Sequence, residues 1–418
     1  MIRKLKETFK KALSHAVLHC SDDGLHYAYF DKASDIPAHD WNSTFNADHR
    51  VFNDIAYLNA IEHFVDKRMS VRYLLVYKKE RPIAAFYFQL FKLNGLLPSQ
   101  LINETYFEQA ATFIKEMKDQ YIFGKSNEDP NYILICGNLF NSESTGFEVL
   151  STEKSSIRLN WKKIYYDLEM QMEPHSEIIA HLFKDYGTSH HFQIDTLLAE
   201  RYGQFQIDPE MHLTLKWPTF EDYLADLSTK YRTRIKSALE KSKHIEVRYL
   251  SHEDINQNHV SINRLFQNVF NNAPVRLAAL HGGCFIDMRK VLADKCIFIG
   301  FFYEQNLIGF ATGIVDGAML NAQFVGFDTA DNKTHNLYMR ILIEYIRTGI
   351  SMGMKKINFG RDALEIKSTF GAMPVPLSLF YYFPGLRGKI ISGMFDKFVK
   401  PKEWIQRRPF KEKEEVNV

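Results

Sequence analysis

The pattern of residues 295–371 constrains the fold more than any other part of this 418-residue chain. Three apolar runs, CIFIGFFY, NLIGFATGIV and AMLNAQFVGF, are separated by short polar turns and predict three strands. The turn after the second run contains Asp-Gly, which is typical of a hairpin. A polar loop and a long amphipathic helix follow, and KKINFGRDALEIKSTFG then predicts a strand that turns into a helix. This order predicts an α/β (α+β) fold with a mixed, mostly antiparallel sheet flanked by helices.

The length of the chain indicates more than one domain, because single cores stop growing near ~250–300 residues. The segment LLVYKKERPIAAF at 74–86 resembles GFFYEQNLIGF at 300–310, since each has an apolar strand, a polar turn and a second strand. The order of helices and strands around the two segments also matches. We therefore predict two copies of one fold, at 1–215 and 216–383, followed by a basic amphipathic tail at 384–418.

Composition narrows the class of protein. The net charge of +2 gives no overall field that would attract nucleic acid. The four cysteines have neither CxxC pairs nor zinc-site spacing, so we expect reduced thiols and no metal. No secretory signal and no apolar run of ~18 residues are present, which predicts a cytoplasmic protein without a transmembrane helix.

Several other elements are predicted from their periodicity. We expect helices at 1–20, at 105–121 and at 176–186, and a strand at KKIYYDLEM, residues 162–170. A further helix is expected after Thr219 and Asp222, with one apolar face that runs from residue 224 to residue 239.

The corner at NFGRDALEIKSTFGA, residues 358–372, carries the residues best suited to chemistry. Asp362 can cap the helix that follows the strand. The Lys367 ammonium can stabilise the oxyanion that forms when an amine attacks an acyl carbonyl, and Glu365 can accept the proton of that amine. The forked guanidinium of Arg361 suits a phosphate or a carboxylate. The alternative is a solvated turn whose charges pair with each other.

A second basic segment, KYRTRIKSALEKSK, lies at 230–243. Arg232 and Lys236 share one helical face, and Arg234 lies on another. We expect these three residues to bind substrate, as a grip for a nucleotide, a phosphorylated lipid head group or tRNA. A solvated, charged helix face is the alternative.

Two basic amphipathic segments lie at opposite ends of the chain, at 1–20 and 384–411. Because stable anchoring on a bilayer takes two signals, the pair favours peripheral contact with the inner face of a membrane. The alternative for the first segment is a helix packed on its own domain.

At this point the residues resemble a family. The C-terminal half, roughly 215–383, resembles the FemAB-like branch of the GNAT superfamily, which contains acyltransferases related to peptidoglycan interpeptide-bridge enzymes. The matching pieces are KYRTRIK at 230–236, the hairpin at 296–326, the helix that ends at Gly353, the INFGR strand at 357–361, and the spacing Lys367-x-x-Phe370-Gly371. The last of these is similar to the lysine-containing KxxFG segment of Fem-type transferases.

The resemblance implies two tandem GNAT-like domains, with a degenerate first domain on the acceptor side and a donor channel in the second. It implies that Lys367 acts at the reacting carbonyl. We expect the donor to be held by a set of residues near it: Gly360, Arg361, Tyr338, Phe370 and Gly371. Many GNAT enzymes bind the CoA pyrophosphate with a glycine-containing loop, but the equivalent segment here, FDTADNKTHNLY at 327–338, has no glycine. Acyl-CoA is therefore expected as a co-substrate and not as a tightly bound cofactor.

The leading hypothesis is an N-acyltransferase that moves an acyl group from a thioester, on CoA or on acyl carrier protein, to an amine on a small molecule, a lipid or a cell-envelope precursor. One alternative is Fem-type transfer from aminoacyl-tRNA to a peptidoglycan precursor. A third is a non-catalytic GNAT-like protein that binds an envelope component, which the missing glycines favour.

Overall fold

The computed structural model describes residues 13–20, 24–45, 51–65, 67–93, 130–142, 144–155, 157, 159–273, 280, 283–385 and 403–411. These residues form two compact units. Unit 1 takes the described residues of Met1–Ile207, Ala273–His281 and Leu377–Pro401, and unit 2 takes those of Asp208–Asn272, Gly282–Pro376 and Lys402–Val418. The division falls at 207/208, eight residues before the boundary expected from the sequence, and the last stretch of chain is shared between the units.

The sheet of unit 1 is an antiparallel meander that ends in one parallel pair. Its strands are β1 (Val17–Cys20), β2 (Leu25–Phe30), β3 (Met69–Lys78), β4 (Arg81–Lys92), β5 (Asn131–Cys136) and β7 (Glu177–Tyr186), with β6 (Phe147–Val149) beside β4. β5 and β7 are parallel, and the final strand, β14 (Met373–Tyr382), pairs antiparallel with β7. The helices are α1 (Ala38–Thr44), α2 (Ile55–Glu62), α3 (Trp161–Glu169) and α4 (His191–Ala199).

The sheet of unit 2 has the same plan. β9 (Glu246–Tyr249), β10 (Cys296–Tyr303), β11 (Asn306–Asp316) and β12 (Met319–Phe327) are antiparallel neighbours. β13 (Lys356–Asn358) is parallel to β12, and β8 (Gly203–Thr214) pairs antiparallel with β13. The helices are α5 (Phe220–Asp226), α6 (Thr229–Lys241), α7 (His252–Gln257), α8 (His259–Phe270), α9 (Cys284–Leu292), α10 (Thr329–His335), α11 (Leu337–Ser351) and α12 (Leu364–Ser368). The predicted fold class, a mixed and mostly antiparallel α/β structure flanked by helices, is confirmed.

The loose sequence repeat corresponds to two hairpins with the same turn. Lys79 and Glu80 connect β3 to β4 with φ of 50° and 66°, and Glu304 and Gln305 connect β10 to β11 with φ of 46° and 66°. Two consecutive residues with positive φ are the signature of a type I′ turn, whose twist matches that of the flanking strands. Each hairpin also has a register shift close to its turn. The repeated pattern therefore encodes the same local geometry in both units, although neither turn contains glycine.

Each unit is built around its own apolar core. The covering helix of unit 2, α11, buries most of its length against the sheet, including Leu337, Ile341 and Tyr345. In unit 1 the matching helix is α3, which buries Trp161, Ile164 and Leu168. Both helices connect the two members of a parallel pair, as a crossover between parallel strands requires.

Two predicted elements of unit 1 have the wrong secondary structure. Residues 162–170 were expected as a strand but lie mostly in α3, whose buried residues follow helical spacing and whose first turn is capped by Asn160. Residues 176–186 were expected as a helix but form β7, paired with β5 and β14. Both are short segments rich in apolar residues, for which periodicity separates helix from strand poorly.

Three further predictions need correction or fall outside the described residues. The expected single helix after Thr219 is two helices, α5 and α6, because Leu227 between them is extended. The helix expected at 1–20 is wrong at its end, where Val17–Cys20 form the edge strand β1. Residues 1–12 of that prediction lie outside the described residues. The predicted helix at 105–121 and residues 386–402 of the tail also lie outside them. No helix within the described ranges is long and apolar enough to cross a bilayer.

Candidate active site

The corner between β13 and α12 is an unusual stretch of backbone. Gly360, Asp362 and Ala363 all have positive φ, of 70°, 60° and 47°. Left-handed conformations are costly for residues with a Cβ, and they cluster at functional sites. Asp362 does not cap α12 as expected: the N-cap position belongs to Ala363, and no side chain accepts a hydrogen bond there. Asp362 lies one residue too early and is itself left-handed, whereas an N-cap residue is normally extended.

Lys367 points into this corner. Its side chain is buried, with 4% exposure, and Nζ donates hydrogen bonds to the backbone oxygens of Gly360, at 3.2 Å, and Arg361. Burial lowers the pKa of the Lys367 amine from 10.5 to about 8; Asp362 and Glu210 act in the opposite direction, and Arg361 adds to the lowering. An ammonium has three N–H donors, so two backbone acceptors leave one donor for a further oxygen.

Glu210 and His212 on β8 complete the site, and sequence reasoning missed both. Glu210 is fully buried, and one of its carboxylate oxygens lies 3.2 Å from His212 Nε2. His212 is in register with Asn358, whose side-chain oxygen accepts a hydrogen bond from the N–H of Gly360 at 2.7 Å. A signal existed, since two ionisable residues at alternate positions of a strand lie on one face. The sequence did not show that β8 lies beside β13.

The parallel pair of unit 2 is open at this point. β12 and β13 pair over only three residues each, ending at Asn321 and Asn358, although β12 continues to Phe327. The corner with Lys367 begins directly after Asn358. In this arrangement the backbone of β12 beyond Asn321 is not paired with β13.

The parallel pair of unit 1 is closed. Its pairing continues to Cys136 at the end of β5, and the next part of β7 is tied to the following loop. Lys184 Nζ donates to the backbone oxygens of Asn138, at 2.8 Å, and Asn141, at 2.7 Å, and it also contacts Asp185. An ammonium thus lies at the end of both parallel pairs. In unit 1 the Asp185 carboxylate contacts the ammonium directly, whereas the hydrogen bonds of the Lys367 ammonium within the described residues go to backbone oxygens. We therefore take unit 2 as the better candidate for chemistry.

Glu365, expected to accept a proton, lies on the other side of α12 from Lys367. Its carboxylate is half exposed and accepts hydrogen bonds from the Arg407 guanidinium, with Arg407 Nε at 2.9 Å. This carboxylate is already engaged by a guanidinium and does not face Lys367, so it is poorly placed to accept a proton there. Glu210 is buried and near enough to raise the pKa of the Lys367 amine, so it is the better candidate for that role.

Some of the expected donor-binding residues lie at the corner with Lys367, and others are buried in unit 2. Gly360 and Arg361 lie at the corner and supply the oxygens that hold Lys367. Phe370 is fully buried, and its backbone oxygen accepts a hydrogen bond from the Tyr223 hydroxyl at 3.0 Å. Gly371 is also buried. Tyr338 lies on α11, where burial raises the pKa of its hydroxyl and the Asp362 carboxylate adds to the rise.

The glycine-free segment at 327–338 does not suit a pyrophosphate. Its chain forms α10, and the N–H of Ala330 already donates to the Asp328 carboxylate at 2.8 Å. The N–H of Tyr338 at the start of α11 donates to Asn332 Oδ1, also at 2.8 Å. Burial raises the pKa of the Asp331 carboxyl, and the nearby Asp328 adds to the rise. Pyrophosphate sites at helix N-termini depend on available N–H groups and a positive field, and here acidic and amide oxygens occupy those N–H groups.

The basic residues of α6 form a separate surface. Arg234 and Lys236 are exposed and Arg232 is half-buried, and no ion pair within the described residues involves them. The one acid of this helix, Glu240, pairs with Lys243 at 2.6 Å. In the described part of the chain no hydrogen bond or ion pair connects the three basic residues to Lys367.

The sequence matches no protein-family model and no curated protein. Solved structures that are similar to the chain include FemX, at 9% identity over 79% of this chain and 90% of that chain, with a TM-score of 0.45. They also include the C-terminal domain of a putative lysylphosphatidylglycerol synthetase from Agrobacterium fabrum, at 8% identity over 86% and 95% of the two chains (TM-score 0.47). A tandem GNAT protein from the clavulanic acid biosynthesis pathway matches at 10% identity over 86% and 99% (TM-score 0.46). The names of FemX and of the tandem GNAT protein agree with the family that the sequence resembles. At these identities the likeness indicates neither a donor nor an acceptor.

Proposed function

We propose that this protein is an acyltransferase that moves an activated acyl group onto an amine, and that the reaction takes place at the β13–α12 corner of unit 2. The observation that carries the proposal is the buried Lys367 ammonium, which is held by two backbone oxygens and whose pKa the buried Glu210 raises. A fixed cation in a dry site is worth much more to a developing oxyanion than the same cation in water.

The proposed step is direct attack. The lone pair of the acceptor amine forms a C–N bond with the acyl carbonyl, and the carbonyl oxygen gains the negative charge that the third N–H of Lys367 stabilises. Glu210 takes the proton of the attacking nitrogen. His212, whose Nε2 lies beside the Glu210 carboxylate, is the second titratable group at this point. The oxyanion then collapses, the C–S or C–O bond to the carrier breaks, and the carrier leaves as a thiol or an alcohol by taking the proton that Glu210 accepted. Positioning accounts for most of the acceleration, because amine attack on a thioester or activated ester is intrinsically facile.

The proposed donor is an acyl group on a carrier that places no pyrophosphate in the loop before α11. The carboxylates and occupied N–H groups there favour acyl carrier protein over CoA. Aminoacyl-tRNA remains the second donor class, and the cations of α6 that have no ion-pair partner in the described residues favour it. The proposed acceptor is an amine on a small molecule, a lipid or an envelope precursor.

The test is a single-turnover assay with three donors in parallel: long-chain acyl-CoA, acyl carrier protein charged with the same acyl chain, and aminoacyl-tRNA. Hydroxylamine serves as a small acceptor, and the hydroxamate is measured by mass spectrometry. We expect acyl carrier protein or aminoacyl-tRNA, but not acyl-CoA, to be consumed faster with the protein than without it. If none of the three is consumed above background, the proposal fails.

A non-catalytic protein is the second candidate, and the occupied loop before α11 is the observation that favours it. Such a protein would bind an acyl carrier without consuming it. Co-purification of an intact acyl species, with no turnover on addition of hydroxylamine, would support this candidate.

A further inference from the structure

Residues 403–411, the C-terminal strap, form no regular helix or strand and lie beside α12. The centre of the strap holds the outer face of this helix. Arg407 Nε donates to Glu365 at 2.9 Å, and the backbone N–H of Arg407 donates to Ser368 Oγ at 3.1 Å. Gln406 Nε2 donates to the backbone oxygen of Ala372, just beyond the helix, at 3.0 Å.

The end of the strap is anchored in the core of unit 2. The ring of Phe410 fills the notch left by Gly371, so closely that a Cβ built on Gly371 would lie 2.2 Å from it. The N–H of Ser228 donates to the backbone oxygen of Pro409 at 2.9 Å, and the N–H of Lys411 donates to that of Asp226 at 3.1 Å. The strap is thus fixed on both sides of Arg407 by contacts with unit 2.

The helix that the strap holds cannot define its own position. α12 has only five residues, far fewer than an isolated helix needs, and it has no side-chain cap at its start. Glu365 and Ser368 are three residues apart and share one face, which is the face that Arg407 contacts. Lys367 points to the opposite side, where it donates to the oxygens of Gly360 and Arg361. Contacts that fix one face of α12 therefore also fix the position of the Lys367 ammonium on the other face.

Building on the function proposed above, we infer that the C-terminal strap is a positioning element: Arg407 and Phe410 hold α12 so that the Lys367 ammonium stays at the oxygens of Gly360 and Arg361. Among the described residues, no hydrogen bond or ion pair joins Arg407 or Phe410 to the Lys367 side chain. Their effect on the reaction passes through the helix.

The experiment measures the site without any substrate. The full-length protein is labelled with trace acetic anhydride at graded pH, and mass spectrometry of the Lys367 peptide gives the apparent pKa of its amine. Arg407→Gln and Phe410→Ala are compared with two matched variants on the same strap, Arg408→Gln and Ile405→Ala, whose side chains are exposed. The thermal midpoint of each variant is measured alongside. Where a transfer assay is in hand, kcat and KM are added.

We expect the apparent pKa of Lys367 to rise by about one pH unit or more in Arg407→Gln and Phe410→Ala, because water enters as α12 loosens. The matched variants should leave it unchanged. In the transfer assay, kcat should fall about tenfold or more in Arg407→Gln with KM nearly constant, and Arg407→Lys should recover part of it. If Phe410→Ala does not fold, Arg407→Gln on its own decides the matter.

An unchanged Lys367 pKa in Arg407→Gln would overturn the inference, even if the thermal midpoint fell, because the strap would then stabilise the unit without positioning the lysine. Since the labelling needs no donor or acceptor, this outcome is separate from failure of the proposed acyl transfer. A protein that shows the expected pKa changes but transfers no acyl group keeps the positioning role and loses the proposed function.

Discussion

Replacement of Lys367 by methionine separates a catalytic lysine from a structural one. Methionine keeps most of the side-chain length and removes the ammonium. The folded protein disfavours the charged amine, whose pKa is about 8 instead of 10.5. At ~1.4 kcal/mol per pH unit, this difference amounts to about 3 kcal/mol of stability at neutral pH that the variant regains. The variant also loses two N–H···O bonds, which leaves the oxygens of Gly360 and Arg361 without these donors and lowers its stability by ~2–4 kcal/mol.

The two contributions nearly cancel, so we expect the free energy of unfolding of Lys367→Met to change by less than about 2 kcal/mol in urea titrations at pH 7. The rate of acyl transfer should fall by ~10²–10³-fold, as for other lost oxyanion donors. Lys356→Met, an exposed lysine on β13, is the matched control and should change neither quantity. A variant that keeps its transfer rate, or one that unfolds while the rate per folded molecule stays constant, would refute the reasoning.

Three further predictions follow from the contacts. Glu210→Gln should slow transfer by about 10²-fold and lower the pKa of Lys367 below about 8, since Glu210 now raises it; labelling at graded pH measures this, and an unchanged pKa would place Glu210 outside the site. Gly371→Ala should cost ~2 kcal/mol or more, because a Cβ there lies 2.2 Å from Phe410 and the residue has a φ of +93°, whereas Gly353→Ala, at a φ of +67° with open space around it, should cost ~1 kcal/mol; equal costs in urea titrations would contradict the packing argument. Burial lowers the pKa of His181 to about 3, so the unfolded chain binds a proton between pH 6.5 and 3 that the folded protein does not, and stability should decline across this range as pH falls; the decline should be smaller in His181→Phe, and an equal decline would contradict it.

The sequence predicted best the elements that have their own local signals. The strands β10, β11 and β12 are bounded by tight turns, and the paired hairpins of the two units share a type I′ turn that the repeated pattern indicates. The helix α11 has a clear apolar face. These segments needed no information from distant parts of the chain, and the fold class could be derived from them.

The features that could not be predicted from the sequence depend on contacts between residues far apart in the chain. The segments of α3 and β7 are short and apolar, and only the neighbouring strands decide between helix and strand. Glu210 lies far from Lys367 along the chain and reaches it only because β8 pairs with β13. The partner of Glu365 could not be foreseen for the same reason, since Arg407 comes from the strap.

The central claim, that a protonated Lys367 acts at the reacting carbonyl, is tested most directly by the pH dependence of single-turnover transfer. We expect the rate of the unmodified protein to decline as pH rises through about 8, where the ammonium of Lys367 loses its proton. The slow residual rate of Lys367→Met should lack this decline. The same decline in both proteins, or a rate that keeps rising above pH 8 in the unmodified protein, would contradict the account.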